Sequence, residues 1–141
     1  MSYSKWFEKH ATKHKQIIEK LLNRDFSKTE IIEYFNFENM VKNEKEFCPL
    51  YKEPKKCHNI EKLNCYLCAC PHFRFNDNGI KKVDEKIQYS LCDIESKNGK
   101  LGVYAKVIHQ DCSACHIPHT QRYIEKHFDT DWKKIMNKVK L

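Results

Sequence analysis

The chain of 141 residues has no long apolar segment. No window of it approaches the roughly 18 apolar residues of a transmembrane helix, so we expect no membrane partner. Residues 1–14 carry charge at nearly every helical turn, whereas a secretory signal requires an apolar core near its start. We therefore expect a cytoplasmic protein, a setting in which thiols stay reduced and disulfides are rare.

The sequence is also short of apolar material, and it contains no internal repeat or low-complexity run. Charged residues make up 32% of the chain, and much of the apolar count in its middle is cysteine. The length is that of a single domain. A segment with so few apolar side chains depends on bound metal to fold.

The common signatures of catalytic zinc are missing as well. The chain has no H-E-x-x-H segment, no H-x-E motif followed by P-C-x-x-C, and no Cys/His/Asn signature. Asp111 precedes a cysteine pair, where an aspartate more often orients the backbone than acts as an acid or base. The sequence thus favours a binding protein over an enzyme without deciding between them.

The formal net charge of +7 does not identify a nucleic-acid partner. That count treats the cysteines as neutral, and eight thiolates around two zinc ions would lower it to about +3. The lysines are dispersed along the chain, which is typical of a solvated surface rather than a track for phosphates.

What the chain does have is eight cysteines, all between residues 48 and 115. Four of them form two C-x2-C pairs, and such a step lets two thiolates from one tight turn bind the same ion. The candidate metal ligands are these cysteines and two histidines: Cys48, Cys57, His58, Cys65, Cys68, Cys70, Cys92, Cys112, Cys115 and His119. Two four-coordinate zinc sites need eight of the ten. We expect the pair Cys65/Cys68 to face the pair Cys112/Cys115 in one site, while the other six candidates share the second.

An iron–sulfur cluster is the alternative cofactor. Cys65, Cys68 and Cys70 place three thiolates within six residues, and Pro71 follows them as proline follows cysteine in ferredoxin segments. The spacing nevertheless differs from the ferredoxin C-x2-C-x2-C run, and the second C-x2-C pair also suits zinc. We therefore expect two zinc ions and keep the cluster as the alternative.

Residues 1–46 contain no cysteine and are predicted to form two amphipathic helices joined near residues 23–26. The second helix is predicted to begin at a capping box, Ser27-x-x-Glu30. We expect this extension to pack on the cysteine-rich segment. His10 and His14 share one face of the first helix, and without a third ligand we expect them at the surface.

Residues 47–119 form the predicted cysteine-rich metal-binding domain, in which residues 86–92 and 101–108 are expected to pair as a hairpin. Residues 120–141 are predicted to return to helix. The expected fold class is a small α+β unit. It has an irregular, metal-stabilised, zinc-ribbon-like core with short strands, flanked by helices at both ends.

At the cysteine motifs the chain resembles the cysteine-rich small domain proteins, a family described as metal-binding and zinc-finger-like. The resemblance lies in Cys57-His58, in residues 64–71 (NCYLCACP) and in residues 111–119 (DCSACHIPH), with Cys48 and Cys92 matching further family cysteines. It covers roughly half of the chain. The family often has a proline where Lys56 stands. The resemblance implies that these positions belong to one metal-binding domain, and it brings no established activity.

We therefore expect a small intracellular module in which structural zinc supports a surface for a protein partner. The first alternative is an iron–sulfur protein of redox or sulfur chemistry. The second is a nucleic-acid-binding zinc module. Its basic face would consist of Lys55, Lys56, Lys81 and Lys82, with Tyr66 or Phe73 exposed to stack on bases.

Overall fold

The structure is a computed structural model that describes residues 2–141. This part of the chain contains five α-helices, two 3-10 helices and six short strands in two sheets. The helices are α1 (Tyr3–Asn23), α2 (Lys28–Tyr34), α3 (Phe37–Asn43), α4 (Gln121–His127) and α5 (Trp132–Ile135), and the 3-10 helices span Pro49–Lys52 and Ile117–His119. The strands are β1 (Phe73–Phe75), β2 (Lys81–Val83), β3 (Lys86–Gln88), β4 (Ser90–Cys92), β5 (Lys100–Tyr104) and β6 (Val107–Asp111). The predicted α+β class with helices at both ends is confirmed at this level.

The longest element, α1, begins at a side-chain cap and buries one stripe of residues. The Ser2 hydroxyl accepts a hydrogen bond from the Lys5 amide at 3.2 Å, which satisfies one free amide of the first turn. The buried residues recur at steps of three and four along the helix: Phe7, His10, Ala11, His14, Ile17, Ile18 and Leu21. The helix ends at Asn23, where the sequence predicted a junction.

Two residues of that stripe, His10 and His14, were expected at the surface, and this expectation is wrong. His10 is 4% exposed and His14 is 0% exposed. The His10 ring stacks on Trp6 with centroids 4.8 Å apart, and the His14 ring stacks on Phe35 at 4.9 Å. The Nε2 atom of His14 lies 3.1 Å from the carbonyl oxygen of Tyr66. Both imidazoles therefore belong to an aromatic core, because the face of α1 that carries them is the face that packs inward.

The capping box predicted for the second helix is present. The Ser27 hydroxyl accepts a hydrogen bond from the Glu30 amide at 3.2 Å, and the Glu30 carboxylate accepts one from the Ser27 amide at 2.9 Å. The apolar pattern indicated one helix after this box, whereas the structure has two, α2 and α3. The break between them lets Asn36 pair with Asn64, whose side-chain amide donates to Asn36 Oδ1 at 3.0 Å.

The strands do not form the predicted hairpin. Residues 101–108 fold back on themselves, so that β5 pairs antiparallel with β6. The turn between them contains Ala105, which adopts the left-handed conformation with φ of 55°. β3 runs parallel to β6 and antiparallel to β2, while β4 pairs with β1 in the second sheet. A left-handed alanine carries none of the Asn-Gly signal of tight hairpin turns, which is why the sequence pattern missed this turn.

One hydrophobic cluster joins the terminal helices to the cysteine-rich segment. Leu21 of α1, Tyr66 and Leu67 of the cysteine-rich segment, and Ile124 of α4 are each 0% exposed within it. Full burial of a large apolar side chain contributes about 1.5–3 kcal/mol. The cysteine-rich segment is therefore held on the helices by packing as well as by any metal it binds.

The end of the chain is fastened beside β1. The Phe75 amide donates to the carbonyl of Val139 at 2.9 Å, and the Leu141 amide donates to the carbonyl of Phe75 at 2.9 Å.

Over residues 2–141, none of the helices has the combination of length and apolar character that crossing a bilayer would require.

Candidate metal centre

The first C-x2-C pair lies in a loop that leaves the core between α3 and β1. The Cys65 amide donates to the Phe35 carbonyl at 2.8 Å, and the Cys68 amide reaches back to the Cys65 carbonyl at 3.5 Å. Ala69 and Cys70 follow with φ angles of 83° and 52°. The left-handed conformation costs an L-residue about 1–2 kcal/mol, so tertiary contacts must hold this turn in place. Beyond the turn, Cys70 faces a cavity that Cys65 and Cys68 do not line.

The second C-x2-C pair follows β6, and Asp111 organises its turn. The carboxylate of Asp111 accepts hydrogen bonds from the amide and the hydroxyl of Ser113, at 2.9 and 2.6 Å. These two bonds lower the pKa of Asp111. The Cys115 amide then donates to the Cys112 carbonyl at 3.0 Å. The prediction that Asp111 orients the backbone is confirmed.

One group of ligands converges closely. A ligand atom from each of Cys57, His58 and His119 lies within 4.8 Å of the other two. His58 follows Cys57 in the chain, whereas His119 comes from the second 3-10 helix. The rings of His58 and His119 lie 4.4 Å apart between centroids. All three residues are among the six candidate ligands that the sequence assigned to a shared second site, and the structure brings these three of the six together.

Backbone carbonyls hold both imidazoles of this group in one tautomer. Nδ1 of His119 lies 2.9 Å from the carbonyl oxygen of Asn64, and Nδ1 of His58 lies 3.0 Å from the carbonyl oxygen of Ser113. A carbonyl can only accept, so Nδ1 must donate in each case, and the lone pair of a neutral ring is then on Nε2. Metal-binding histidines are usually oriented in this way by a partner on the other ring nitrogen.

The electrostatics suit neutral nitrogen ligands. Burial lowers the pKa of His119 to about 4, although the hydrogen bond to Asn64 opposes this shift. Burial also lowers the pKa of His58. Burial, followed by the charges of Cys65 and Cys48, raises the pKa of Cys57 to about 11. At neutral pH the imidazoles are therefore ready to bind a metal, whereas the Cys57 thiol must release a proton when it does so.

The eight cysteines are all free thiols, and they fall into two groups. The cavity thiols line a single cavity and are Cys70, Cys92, Cys112 and Cys115. The core thiols affect one another's ionisation and are Cys48, Cys57, Cys65 and Cys68.

The causes of the cysteine pKa shifts follow the same two groups of thiols. The pKa of Cys68 is raised by its hydrogen bond with Cys65, by burial and by the charges of the other core thiols. The pKa of Cys112 is raised to about 12 by burial and then by the other cavity thiols. Such charge effects act over a few ångströms. The two C-x2-C pairs thus fall into different groups by these charge effects, and the predicted pairing of Cys65 and Cys68 with Cys112 and Cys115 stays a prediction.

A few polar groups lie next to the thiols. The Ser96 hydroxyl lies 3.2 Å from Cys115 Sγ, and the His72 amide donates to Cys70 Sγ at 3.4 Å. The buried Tyr51 hydroxyl has no hydrogen-bond partner, and its pKa is raised by burial and by the neighbouring Cys65. A thiolate accepts such hydrogen bonds more strongly than a neutral thiol does. These surroundings fit metal-bound thiolates.

A polar network that sequence reasoning missed fixes part of the cavity wall. His72 donates from Nδ1 to Asp93 at 3.0 Å, and Arg74 donates to the other Asp93 oxygen at 2.7 Å. The Tyr123 hydroxyl donates to His72 Nε2 at 2.7 Å. The network ties the backbone next to Cys70 to the backbone next to Cys92. The sequence contained no signal for the part that Tyr123 plays in this network.

The cavity itself measures about 290 Å³. Its walls combine the four cavity thiols with the imidazoles of His58 and His119 and the aromatic rings of Tyr3, Trp6 and Phe73. The thiols of one ligand group and the imidazoles of the other therefore face the same enclosed space. Two residues were expected to stack on bases in a nucleic-acid-binding module. Tyr66 lies elsewhere and is 0% exposed, so it cannot stack on a base, and Phe73 is partly buried in the cavity wall.

Comparison with protein-family models, with curated proteins and with solved structures finds no match for this chain. The resemblance to the cysteine-rich small domain proteins stays a prediction, and the function is inferred from the geometry of the site.

Proposed function

We propose that this protein binds zinc through Cys57, His58 and His119, and that a second zinc ion binds the cavity thiols. The observation that carries this proposal is the convergence of one thiol and two imidazoles with ligand atoms within 4.8 Å. In a tetrahedral zinc site with bonds of 2.0–2.3 Å, ligand atoms lie about 3.3–3.8 Å apart. A shift of about 1 Å would therefore bring the three atoms into bonding positions.

The chemistry of the donors selects the metal. Sulfur and imidazole nitrogen are preferred ligands of zinc, whereas magnesium and calcium prefer oxygen. The orientation of both rings by backbone carbonyls adds support, because it leaves the lone pair of each neutral ring on Nε2.

Cys57 is also one of the core thiols, and this creates a competing arrangement. Zinc could instead be bound by Cys48, Cys57, Cys65 and Cys68, in which case the two histidines would not be ligands. The convergence of His58 and His119 on Cys57 favours the mixed centre, and the two arrangements predict different effects of mutation.

In this proposal the metal is chiefly structural. The segment of residues 47–119 contains short strands and many turns, and zinc would complete it as an irregular, zinc-ribbon-like core. The protein would then be a small intracellular module that presents a surface to a protein partner. This wider role rests on the sequence-based expectation alone.

Metal analysis of variants tests the proposal. Wild-type protein purified from zinc-supplemented cells should contain about two zinc ions per chain. His119→Ala should remove one equivalent and Cys112→Ser the other, while Cys48→Ser should retain both. A matched control is His109→Ala, which changes an exposed histidine on β6. Loss of one equivalent in Cys48→Ser but none in His119→Ala would replace the mixed centre by the four core thiols.

The arrangement of the cavity thiols also keeps an iron–sulfur cluster as a second candidate. Four thiols line one cavity; Cys70 accepts a hydrogen bond from the His72 amide and Cys115 is in hydrogen-bond contact with Ser96, and contacts of this kind tune cluster potentials. Iron and acid-labile sulfide in anaerobically purified protein, with visible absorbance that Cys112→Ser abolishes, would assign a cluster to this group.

A further inference from the structure

We propose that the zinc bound by Cys57, His58 and His119 keeps one coordination position open, and that the adjoining cavity takes a small apolar thiol at that position. This inference rests on the proposed zinc centre and adds a ligand to it.

Three converging protein ligands leave one coordination position of a four-coordinate zinc ion free. Three protein atoms meet here, and zinc that binds external ligands typically has three protein ligands and one exchangeable position. His116 is the nearest further imidazole, with its ring centroid 5.5 Å from that of His58. It lies outside the converging group and does not line the cavity, although its Nδ1 is buried without a partner. His116 is therefore the residue that a test must exclude as a fourth ligand.

The cavity lies beside the open coordination position of the zinc ion. His58 and His119 both line the cavity, whereas Cys57 does not. Because each ring donates from Nδ1 to a carbonyl, the free lone pairs belong to the Nε2 atoms. The cavity wall therefore contains both imidazoles of the proposed centre, and a ligand bound in the cavity would lie next to the metal that they hold.

The walls select an apolar body. In this proposal the cavity thiols bind the second zinc ion, so the ligand occupies the part of the cavity beside the aromatic rings. Among the described residues that line the cavity, none is Asp, Glu, Lys or Arg. Tyr3, Trp6 and Phe73 provide aromatic surface. The volume of about 290 Å³ lies at the small end of ligand cavities and suits a molecule of one ring or a short branched chain.

Three polar side chains of the cavity wall, Gln110, Ser96 and His72, are already paired with protein. Gln110 accepts from the Cys92 amide at 3.1 Å and donates to the Lys100 carbonyl at 3.2 Å. Ser96 contacts Cys115, and both ring nitrogens of His72 are engaged. A ligand that needs several hydrogen bonds would therefore leave some of its own groups unsatisfied.

These features favour a thiol as the binding group. A carboxylate would place one oxygen on zinc and leave the other without a donor, close to the cavity thiols. A thiolate requires only the metal, and zinc binds thiolate sulfur well.

Cobalt(II) protein provides the test, because its visible spectrum reports ligands that zinc leaves invisible. The metal content of wild type and His119→Ala is measured first, and wild type is then titrated anaerobically with benzyl mercaptan. We expect a saturable new sulfur-to-cobalt absorption with one probe per chain and unchanged cobalt content. The polar probe 2-mercaptoethanol should bind about tenfold more weakly.

Two variants connect the response to the cavity. Trp6→Ala should raise the dissociation constant for benzyl mercaptan about fivefold at full cobalt content. The matched control Tyr104→Ala removes an exposed aromatic ring on β5, 58% exposed and outside the cavity wall, and should leave the constant unchanged.

The outcomes separate the two proposals. Full cobalt content in wild type, one equivalent less in His119→Ala and no spectral response to the thiol would overturn the open position while keeping the zinc centre. A response that appears only in His116→Ala would show that His116 closes the site, and would also overturn it. Equal cobalt content in wild type and His119→Ala would refute the zinc centre itself.

Discussion

Acidification should destabilise the helical core through His10 and His14, the two histidines that α1 buries. Burial lowers the pKa of His10 to about 4, with a further contribution from the charge of Lys13. Burial lowers the pKa of His14 to about 3, helped by His10 and opposed by the contact with Tyr66. The remaining neighbours of the two rings are aromatic, and Nε2 of His10 and Nδ1 of His14 have no hydrogen-bond partner. A proton on either ring would therefore be a buried charge without a partner carboxylate.

The sign and size of the effect follow from these values. Both folded-state pKa values lie below the unfolded value of 6.5, so the unfolded chain binds more protons at intermediate pH. The stability is complete above about pH 6.5 and is lost as the pH falls toward about 4 and about 3. At pH 5 each histidine should have removed about 2 kcal/mol, or about 4 kcal/mol together, against a typical total of 5–15 kcal/mol.

Urea unfolding followed by circular dichroism between pH 5 and pH 7 measures this dependence. The double variant His10→Gln/His14→Gln removes both titrating groups while the glutamine at position 14 can still donate to the Tyr66 carbonyl. Its free energy of unfolding should change with pH less steeply than that of wild type, by about 2.7 kcal/mol per pH unit near pH 5. His109→Gln is the control, and its slope should match wild type. Wild type and variants are compared at equal zinc content, so that the contribution of zinc release cancels in the difference between their slopes. Parallel slopes for wild type and the double variant would refute the reasoning, and His14→Gln alone, expected to change the slope by half as much, serves if the double variant does not fold.

Three further predictions concern the segments around the site. Asn64→Ala should lower the free energy of unfolding by about 2–4 kcal/mol in urea titrations, because the buried Asn64 side chain makes three hydrogen bonds that alanine cannot make. Ser27→Ala should cost about 1 kcal/mol through loss of the capping box, with Lys28→Ala as a neighbouring control; no difference between them would argue against the cap. Removal of metal by a chelator should abolish near-ultraviolet dichroism from the cysteine-rich segment while leaving much of the far-ultraviolet helical signal, since structural zinc contributes on the order of 10 kcal/mol in small domains. Unchanged spectra and melting temperature after confirmed metal removal would contradict that last expectation.

Features that depend on residues close together in the chain were predicted from the sequence. The end of α1 near Asn23, the capping box at Ser27 and the turn role of Asp111 depend on residues within a few positions of one another. The inventory of ligands was equally local, because C-x2-C spacing reports what one turn can present. The break between α2 and α3 was missed, since it depends on Asn64, which lies far along the chain from Asn36.

The tertiary structure decided which of these groups meet. His119 reaches Cys57 and His58 across more than sixty residues, through the reciprocal hydrogen bonds between His119 and the Asn64 backbone. The division of the cysteines into core and cavity thiols depends on a left-handed turn at Ala69 and Cys70. The turn contains no glycine, so the sequence did not predict it. His10 and His14 were wrongly predicted at the surface because histidine occurs both on solvent-exposed helix faces and stacked among buried aromatic rings. The sequence by itself determined the first helix, the capping box at Ser27 and the inventory of candidate ligands, since these arise from neighbours in the chain. Only tertiary packing decided which face of α1 is buried and which ligands share a site, because both depend on contacts between residues far apart in sequence.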